Sequence, residues 1–313
     1  MNDAAHLRRD PLVATLLERC SFPEVVGSSA HGDLDTAPHV SCAVSGGADS
    51  SALLVLAVAA DFRVTAVHVD HALRPGSDRE ADLVAALAGR FGAEFVTITS
   101  PVAPGPDLEA RARAARHAAL PPDVLFGHTA DDQAETVLLR LLRGTGPTGL
   151  AAMRPARHPL LALRRRETRE VCDRLGIESF EDPSNEDPQF RRNRVRHELV
   201  PLIDSIAERD VTPLLCRLAD LCAEQADLLG ELAADEDASD AARVAELPLP
   251  IAAEVIRRWW IDGTGLGYPP DAAAMARILD VAAGRSVGCE VGSGWSVRRS
   301  GGRLALRHTN STE

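Results

Sequence analysis

The six residues Ser45-Gly46-Gly47-Ala48-Asp49-Ser50 constrain this chain more than any others. They stand between two apolar runs, Val40–Val44 and Ala52–Ala60, so the segment is predicted as a strand, a tight glycine turn and the start of a helix. Such a turn bares consecutive backbone N–H groups at the positive end of a helix, a ready-made site for phosphate. Two glycines let the backbone approach a bulky anion without Cβ clashes. Ser50 and Ser51 can cap the helix or donate to phosphate oxygens. Asp49 is the odd member, because a carboxylate beside an anion is unfavourable unless it caps the helix or holds a cation. Mg²⁺ is the usual cation beside a nucleoside triphosphate.

The chain contains no lysine, so all 34 of its Lys/Arg positions are arginine. A Walker-type loop needs a lysine at the β/γ-phosphates, and that nucleotide-binding class is excluded. The G-x-G-x-x-G spacing of a dinucleotide fingerprint is missing too.

At 313 residues the chain is long enough for two domains. Aromatic content of 4% argues against RNA binding by base stacking on many exposed rings, and a net charge of −12 argues against loose, nonspecific binding. Local basic patches remain, at Arg154, Arg157, Arg164, Arg165 and Arg166, and at Arg191, Arg192, Arg194 and Arg196. Cysteines 20, 42, 172, 216, 222 and 289 form no C-x-x-C pair and no zinc-ligand spacing, which reads as buried cytosolic thiols. No apolar run is long enough to span a bilayer, and Met1–Asp10 is polar with no hydrophobic stretch behind it. The expectation is a cytoplasmic protein with no membrane partner.

Strand and helix patterns alternate along the first two thirds. Strands are expected at His39–Ser45, Arg63–Asp70, Ala93–Thr99 and Asp123–His128, with a fifth near His158–Leu163. Helices are expected at Pro11–Val25, Asp78–Phe91, Leu108–Ala119 and Ala130–Leu142. Buried strands alternating with helices imply an α/β fold with a parallel sheet covered on both faces, whose ligands sit at the carboxyl ends of the strands. Ser45, Asp70 and His128 all fall at such ends and converge on one crevice. From Leu202 to Leu232 the periodicity is purely helical, with further helices at Pro250–Trp260 and Asp271–Ala283 and short strands within Ser286–His308. The expected division is 1–205 for the α/β domain and 206–313 for a smaller, mainly helical domain with a short β element at its end.

Three side-chain groups line the expected crevice. Asp131, Asp132 and Glu135 open the helix after the fourth strand, where they complement its dipole and can hold Mg²⁺, grip an ammonium group or accept a proton. His68, Asp70, His71 and Arg74 end the second strand and suit nucleotide contact better than zinc. Arg113 and Arg116 share a helical face from which an α-phosphate can be gripped bidentately.

With these residues in hand, Ser45–Ser50 is similar to the S-G-G-x-D-S signature of the PP-loop ATP pyrophosphatases. His68–Arg74, Glu109–Arg116, Gly127–Thr136, Arg143-Gly144-Thr145-Gly146 and Asp182-Pro183-Ser184-Asn185 with Arg192-Asn193 and Arg196 resemble the tRNA(Ile)-lysidine synthase family in order and approximate spacing. His117 and His158 depart from the family pattern, which has Tyr and Arg at those places. The resemblance is to the short form, without the additional C-terminal tRNA-binding domain.

The resemblance implies a Rossmann-like PP-loop domain and a reaction. ATP adenylates C2 of the wobble cytidine of tRNA(Ile) with a CAU anticodon, and free L-lysine then displaces AMP. It implies ATP contacts from Ser45, Gly46, Gly47, Ala48, Asp49, Ser50, His68, Asp70, His71, Arg74 and His128. Catalytic roles fall to Asp49, Asp131, Asp132, Glu135 and Arg113, and Mg²⁺ binding to Asp49, Asp132 and Glu135. Arg143, Arg192, Asn193 and Arg196 are expected to bind tRNA, with self-association into a homodimer left open. The alternatives are a base thiolase on the same scaffold, which wants catalytic cysteines, and a nucleotide-binding protein without chemistry.

Overall fold

The structure is a computed structural model and describes residues 4–23, 37–70, 78–100, 111, 115, 118–180 and 187–309. It divides into two compact units, Met1–Asp220 and Leu221–Glu313.

The first unit is built on a four-stranded parallel sheet in the order β3-β2-β1-β4. After the short helices α1 (Ala4–Leu7) and α2 (Pro11–Leu17) come β1 (His39–Ala43), α3 (Ala48–Ala59), β2 (Arg63–Asp70), α4 (Asp78–Arg90), β3 (Glu94–Thr99), β4 (Leu125–Phe126) and α5 (Ala130–Leu141). Helix α2 begins where the sequence supplies a cap, with Asp10 Oδ1 accepting from the Leu12 N–H at 2.9 Å and Pro11 in the first turn. Five consecutive residues of β2 are buried, as a parallel strand covered on both faces requires. Helix α3 is buried on every side from Ser50 to Ala59. A helix that is apolar all round belongs in the centre of a core, and α3 packs against β1, β2, α1 and α2. That position holds the glycine turn at its N-terminus rigidly against the sheet.

Gly127, just past β4, explains how closely the second wall of the crevice approaches this turn. A Cβ there would lie 2.6 Å from the Asp49 carbonyl oxygen and 3.0 Å from Ser50 Cα. Both obstacles are backbone, which cannot swing aside. Gly127→Ala should therefore lower stability by about 1–3 kcal/mol, the usual range for overpacking, as read from denaturant melts.

The expected fifth strand fails for a local reason. His158–Leu163 forms no strand but a run of turns after a 3₁₀ turn at Pro155–Arg157. Pro159 has no N–H for a ladder, and the Leu163 carbonyl is taken by the Ala130 N–H at 2.8 Å. Leu160 and Leu163 still fill the core, fully buried. The helical periodicity over Leu202–Leu232 is met by two helices: α6 (Pro147–Leu150) and α7 (Arg165–Arg174) lead to α8 (Arg191–Arg194), a π-helical turn at Val195–Leu199 and α9 (Val200–Ala207), and α10 (Thr212–Leu232) starts afresh. The break is at Glu208, which takes a left-handed conformation with φ +53°. The helix expected over Leu108–Ala119 lies mostly outside the described residues.

The second unit takes the rest of α10 and adds α11 (Ala241–Glu246), α12 (Leu249–Thr264) and α13 (Ala272–Ala282) to an antiparallel sheet of β5 (Gly288–Gly292), β6 (Trp295–Ser300) and β7 (Arg303–His308). Ile256, Ile278, Val281 and Val297 are fully buried at its centre. The α/β class with a mainly helical second part and a terminal β element is therefore the observed architecture. The division falls inside α10, fifteen residues after the boundary expected from the sequence. No helix among the described residues is long and apolar enough to cross a membrane.

Candidate active site

The glycine turn has the form its residues demand. Gly46 sits at φ +86°, a conformation that L side chains rarely adopt, and Gly47 caps α3 without a side-chain bond. The Ser50 hydroxyl is turned inward: it donates to the Gly47 carbonyl at 2.9 Å and accepts from the Ser45 N–H at 3.2 Å. Ser50 thus braces the loop instead of reaching outward. Phe180 closes the loop from behind, its N–H donating to the Gly46 carbonyl at 2.9 Å. The first-turn N–H groups of α3 have no intrahelical acceptor, and the end of the turn remains a place for an anion.

Asp49 stands in the first turn of α3 with its side chain 26% exposed. Its Oδ1 accepts from the Thr168 hydroxyl, and its Oδ2 lies 3.4 Å from Arg165 Nε. Burial, helped by the negative charge of Asp132, pushes its carboxyl up to about 6 against the opposing pull of Thr168 and Arg165.

The carboxylates of α5 stand beside it in a cage of arginines. Asp132 accepts from the Thr129 N–H and hydroxyl, both at 2.9 Å, so one oxygen caps the helix. Its other oxygen takes Arg165 Nη2 at 2.8 Å and Arg192 Nη2 at 3.0 Å. Glu135 is 2% exposed and is held by Arg192 Nε at 2.7 Å, Arg196 Nε at 2.7 Å and Arg165 Nη1 at 3.2 Å. Asp131 is gripped bidentately by Arg164 at 3.0 and 3.1 Å and by the Arg165 N–H at 2.8 Å. Burial opposes ionisation of both aspartates. For Asp132 the charges of Arg165, Arg192 and His128 outweigh it and hold the carboxyl well below the usual range. For Asp131 the Arg164 hydrogen bonds do the same. Four carboxylates thus meet four guanidinium groups.

Two members of the expected metal set are engaged by arginines. Glu135 and Asp132 already have cations at hydrogen-bond distance, and among the described residues no group of three or more acidic, His or Cys side chains is arranged to hold a metal ion. Asp49, with a single guanidinium at 3.4 Å, is the one carboxylate of the four left under-compensated.

Two of the expected RNA contacts stand inside this cage. Arg192 and Arg196, a quarter exposed, face Glu135 and Asp132 instead of forming an open basic surface. Asn193 is buried, its Nδ2 donating to the Asp187 carbonyl at 2.8 Å. Arg143 alone of that group is exposed, just past the end of α5. On the nucleotide side, His68 is 3% exposed and its Nδ1 is 2.9 Å from the Val44 carbonyl, where it braces the strand before the loop. Asp70 ends β2, and His128 pairs with His158, Nδ1 to Nδ1, at 2.9 Å. His71, Arg74, Arg113, Arg116, His117 and Asp182–Asn185 lie outside the described residues.

Residues 24–203 match the family described as PP-loop domain, and residues 240–305 the TilS substrate binding domain. The tRNA(Ile)-lysidine synthase of Nocardia farcinica (strain IFM 10152) is 40% identical over 218 residues, which cover 63% of this chain and 68% of that protein. This chain belongs to the tRNA(Ile)-lysidine synthase family. Family members from Thermobifida fusca (strain YX) and Cutibacterium acnes (strain DSM 16379 / KPA171202) are 41% and 39% identical, and there the match spans about half of each relative's length (52%) and 47% of this chain. Among solved structures, the U34-tRNA thiolase NcsA from Methanococcus maripaludis with its [4Fe-4S] cluster is similar with a TM-score of 0.50 at 14% identity, covering 68% of this chain and 78% of that one. That likeness speaks for the fold the family shares.

Three residues of this crevice, Thr168, Arg164 and Arg165, were not among the expected site residues. Thr168, which holds Asp49, carried no signal at all. Arg164 and Arg165 were read as an RNA patch, yet they neutralise the acids. Four carboxylates at one crevice demand buried positive partners, and that charge balance is the signal that points to them. The cysteines do not gather here. Burial raises the thiols of Cys42 and Cys172 to about 12, so neither is an activated nucleophile.

Proposed function

We propose that this chain uses ATP to activate the wobble cytidine of tRNA(Ile) with a CAU anticodon and joins free L-lysine to its C2, releasing AMP and pyrophosphate. The observation that carries this reading is the cage of mixed charge beside the phosphate turn. Lysine at neutral pH carries two ammonium groups and one carboxylate, and its binding site needs both signs. Arg196 is held by Glu135 through two nitrogens, and Arg192 by Glu135 through Nε and by Asp132 through Nη2, which leaves the third nitrogen of each guanidinium to meet a carboxylate. Asp131 and Asp132, kept ionised by their arginines, suit an ammonium group.

In the first step the cytidine O2 attacks the α-phosphorus of ATP and the bond to the β-phosphate breaks. The free N–H groups of the turn hold the leaving pyrophosphate. Mg²⁺ fits at Asp49, since a single carboxylate plus phosphate oxygens is a normal set for this ion, and it would neutralise charge on the phosphates. Arg113 is the residue for the α-phosphate. In the second step the lysine ε-amine, having lost its proton, attacks C2, and the C2–O2 bond breaks as AMP leaves. An anticodon base is already single-stranded and can be splayed into the crevice at small cost.

The test is incubation with ATP, radiolabelled lysine and a tRNA(Ile) transcript with the CAU anticodon. Label should enter the RNA, and only when ATP is present. Unlabelled RNA from folded protein that binds ATP would refute the reading. Label taken from a sulfur donor instead would favour the thiolase.

A further inference from the structure

We infer that His158 is a positioning residue for lysine transfer: it accepts a hydrogen bond from His128, and so keeps the second ring nitrogen of His128 bare to take the proton that the lysine ε-ammonium must lose. The inference rests on the reaction proposed above and assigns one of its proton transfers.

The acids of the crevice hold an ammonium group better than they deprotonate one. Asp131 and Asp132 are kept below the usual carboxylate range by their arginines, which makes them weak bases. Both oxygens of Glu135 are taken by guanidinium groups. Asp49 stands at the phosphate turn, where it suits Mg²⁺. Imidazole is the side chain whose ordinary charge change falls between pH 5 and 8. His68 is 3% exposed and turned to the Val44 carbonyl. His128 is half-buried at the carboxyl edge of the sheet, two residues past β4. Gly127 before it lies against the Asp49 backbone, and the charge of His128 acts on Asp132.

The two Nδ1 atoms of His128 and His158 are 2.9 Å apart, with the rings tilted by 59°. At that distance one nitrogen carries the hydrogen and the other is bare, since two N–H groups would meet head-on. Asp132 favours positive charge on the His128 ring, so His128 donates and His158 accepts. Neutral His128 then has its Nε2 bare. Once Nε2 takes a proton, the bond to His158 becomes charge-assisted and holds the imidazolium. Arginine, the residue of the family pattern at this place, only donates and cannot fill that role.

His158 is held firmly enough to act this way. Its ring stacks on Phe126 at 5.5 Å and 28°. Arg157 Nε donates to the Val124 carbonyl at 3.2 Å, and the Pro159 carbonyl accepts from the Ser21 N–H at 2.9 Å. The charged groups around the pair are Asp132 from α5 and Arg157, whose guanidinium stands over the Phe126 ring at 5.1 Å. In the transfer step one proton passes from lysine Nζ to His128 Nε2. The Nζ lone pair forms the bond to C2, and the C2–O2 bond breaks with its electrons leaving on AMP. The excess proton on the new nitrogen goes to water.

The experiment uses the full chain from about pH 5.5 to 9 and measures pyrophosphate release and transfer of radiolabelled lysine to the tRNA(Ile) transcript, at saturating lysine. Wild-type transfer should level off above about pH 7. His128→Asn can still donate to His158 but cannot take a proton. It should lose about 10²-fold more in transfer than in pyrophosphate release, in kcat and not in KM for lysine. Its residual transfer should rise about tenfold per pH unit, as the free amine does. His158→Phe should lose roughly tenfold and level off at lower pH, because the imidazolium lacks its acceptor. His158→Asn, whose carbonyl oxygen can accept the same bond, should recover most of that loss, and His158→Arg should not. A wild-type pH profile in His158→Phe overturns the inference, as does an equal loss of both activities in His128→Asn. If His158→Phe melts early, equal transfer by His158→Asn and His158→Arg overturns it. In each case lysine transfer by the wild type leaves the proposed reaction standing. No transfer by the wild type at any pH removes the reaction and this role with it.

Discussion

Glu135→Ala should destabilise the first unit by about 3 kcal/mol, a fall in Tm of roughly 6–12 °C for a unit of this size, and abolish lysine transfer. The reason is charge left behind. Glu135 is almost fully buried and its two oxygens hold three guanidinium groups. Removing one member of a buried ionic cluster strands the others, and the usual penalty is about 3–5 kcal/mol. The lower end applies because Arg192 and Arg196 are a quarter exposed and can turn toward water. Glu135→Ala combined with Arg196→Gln should recover part of the lost stability, since the second change removes one stranded charge, while transfer stays absent. If the double variant is less stable than wild type by the full sum of the two single effects, Glu135 and Arg196 are not coupled and the cage is not what Glu135 maintains.

Asp49→Asn separates chemistry from folding in the opposite way. Turnover should fall by about 10²–10³, the loss expected when one group that stabilises transition-state charge is removed. Stability at pH 7 should hold or rise by up to about 1 kcal/mol. Asparagine can still accept from Thr168, and the folded protein no longer buries a charge that burial and Asp132 disfavour. The sign follows from the raised carboxyl. The wild-type fold loses stability as the pH rises from the ordinary carboxylate range to about 6 and bears the full cost above that, so the gap between the two proteins should close as the pH falls from 6 toward 4. Near-normal turnover in Asp49→Asn, measured by pyrophosphate release, would take Asp49 out of the reaction.

The parts of the site legible in the sequence were those that local chemistry dictates. A strand followed by Gly-Gly and an apolar run can scarcely avoid forming an exposed helix N-terminus, and Gly46 at φ +86° shows why the glycine is there. Asp131, Asp132 and Glu135 follow a strand and open a helix, so they were bound to stand at the carboxyl edge of the sheet. What could not be read were partnerships across long stretches of chain. Arg165 meets Glu135 from 30 residues away and Thr168 meets Asp49 from 119, and no periodicity announces either pair. The same lack of local signal hid the acids that Arg192 and Arg196 meet, since a basic run reads alike whether it faces solvent or buried acids. The missing fifth strand has a plainer cause: apolar residues near His158–Leu163 satisfy the core through turns, and Pro159 breaks any ladder.

Arg165 belongs to both halves of the crevice. Its Nε lies toward Asp49 at the phosphate turn, and its other two nitrogens hold Asp132 and Glu135. A guest that draws this guanidinium toward one side changes the environment of the other. The two halves are then thermodynamically linked, and linkage is reciprocal: whatever factor an amino acid in the cage imposes on nucleotide affinity, the nucleotide imposes on the amino acid. If ATP and lysine occupy these two halves as proposed, the shared arginine makes the affinity for each depend on whether the other is bound.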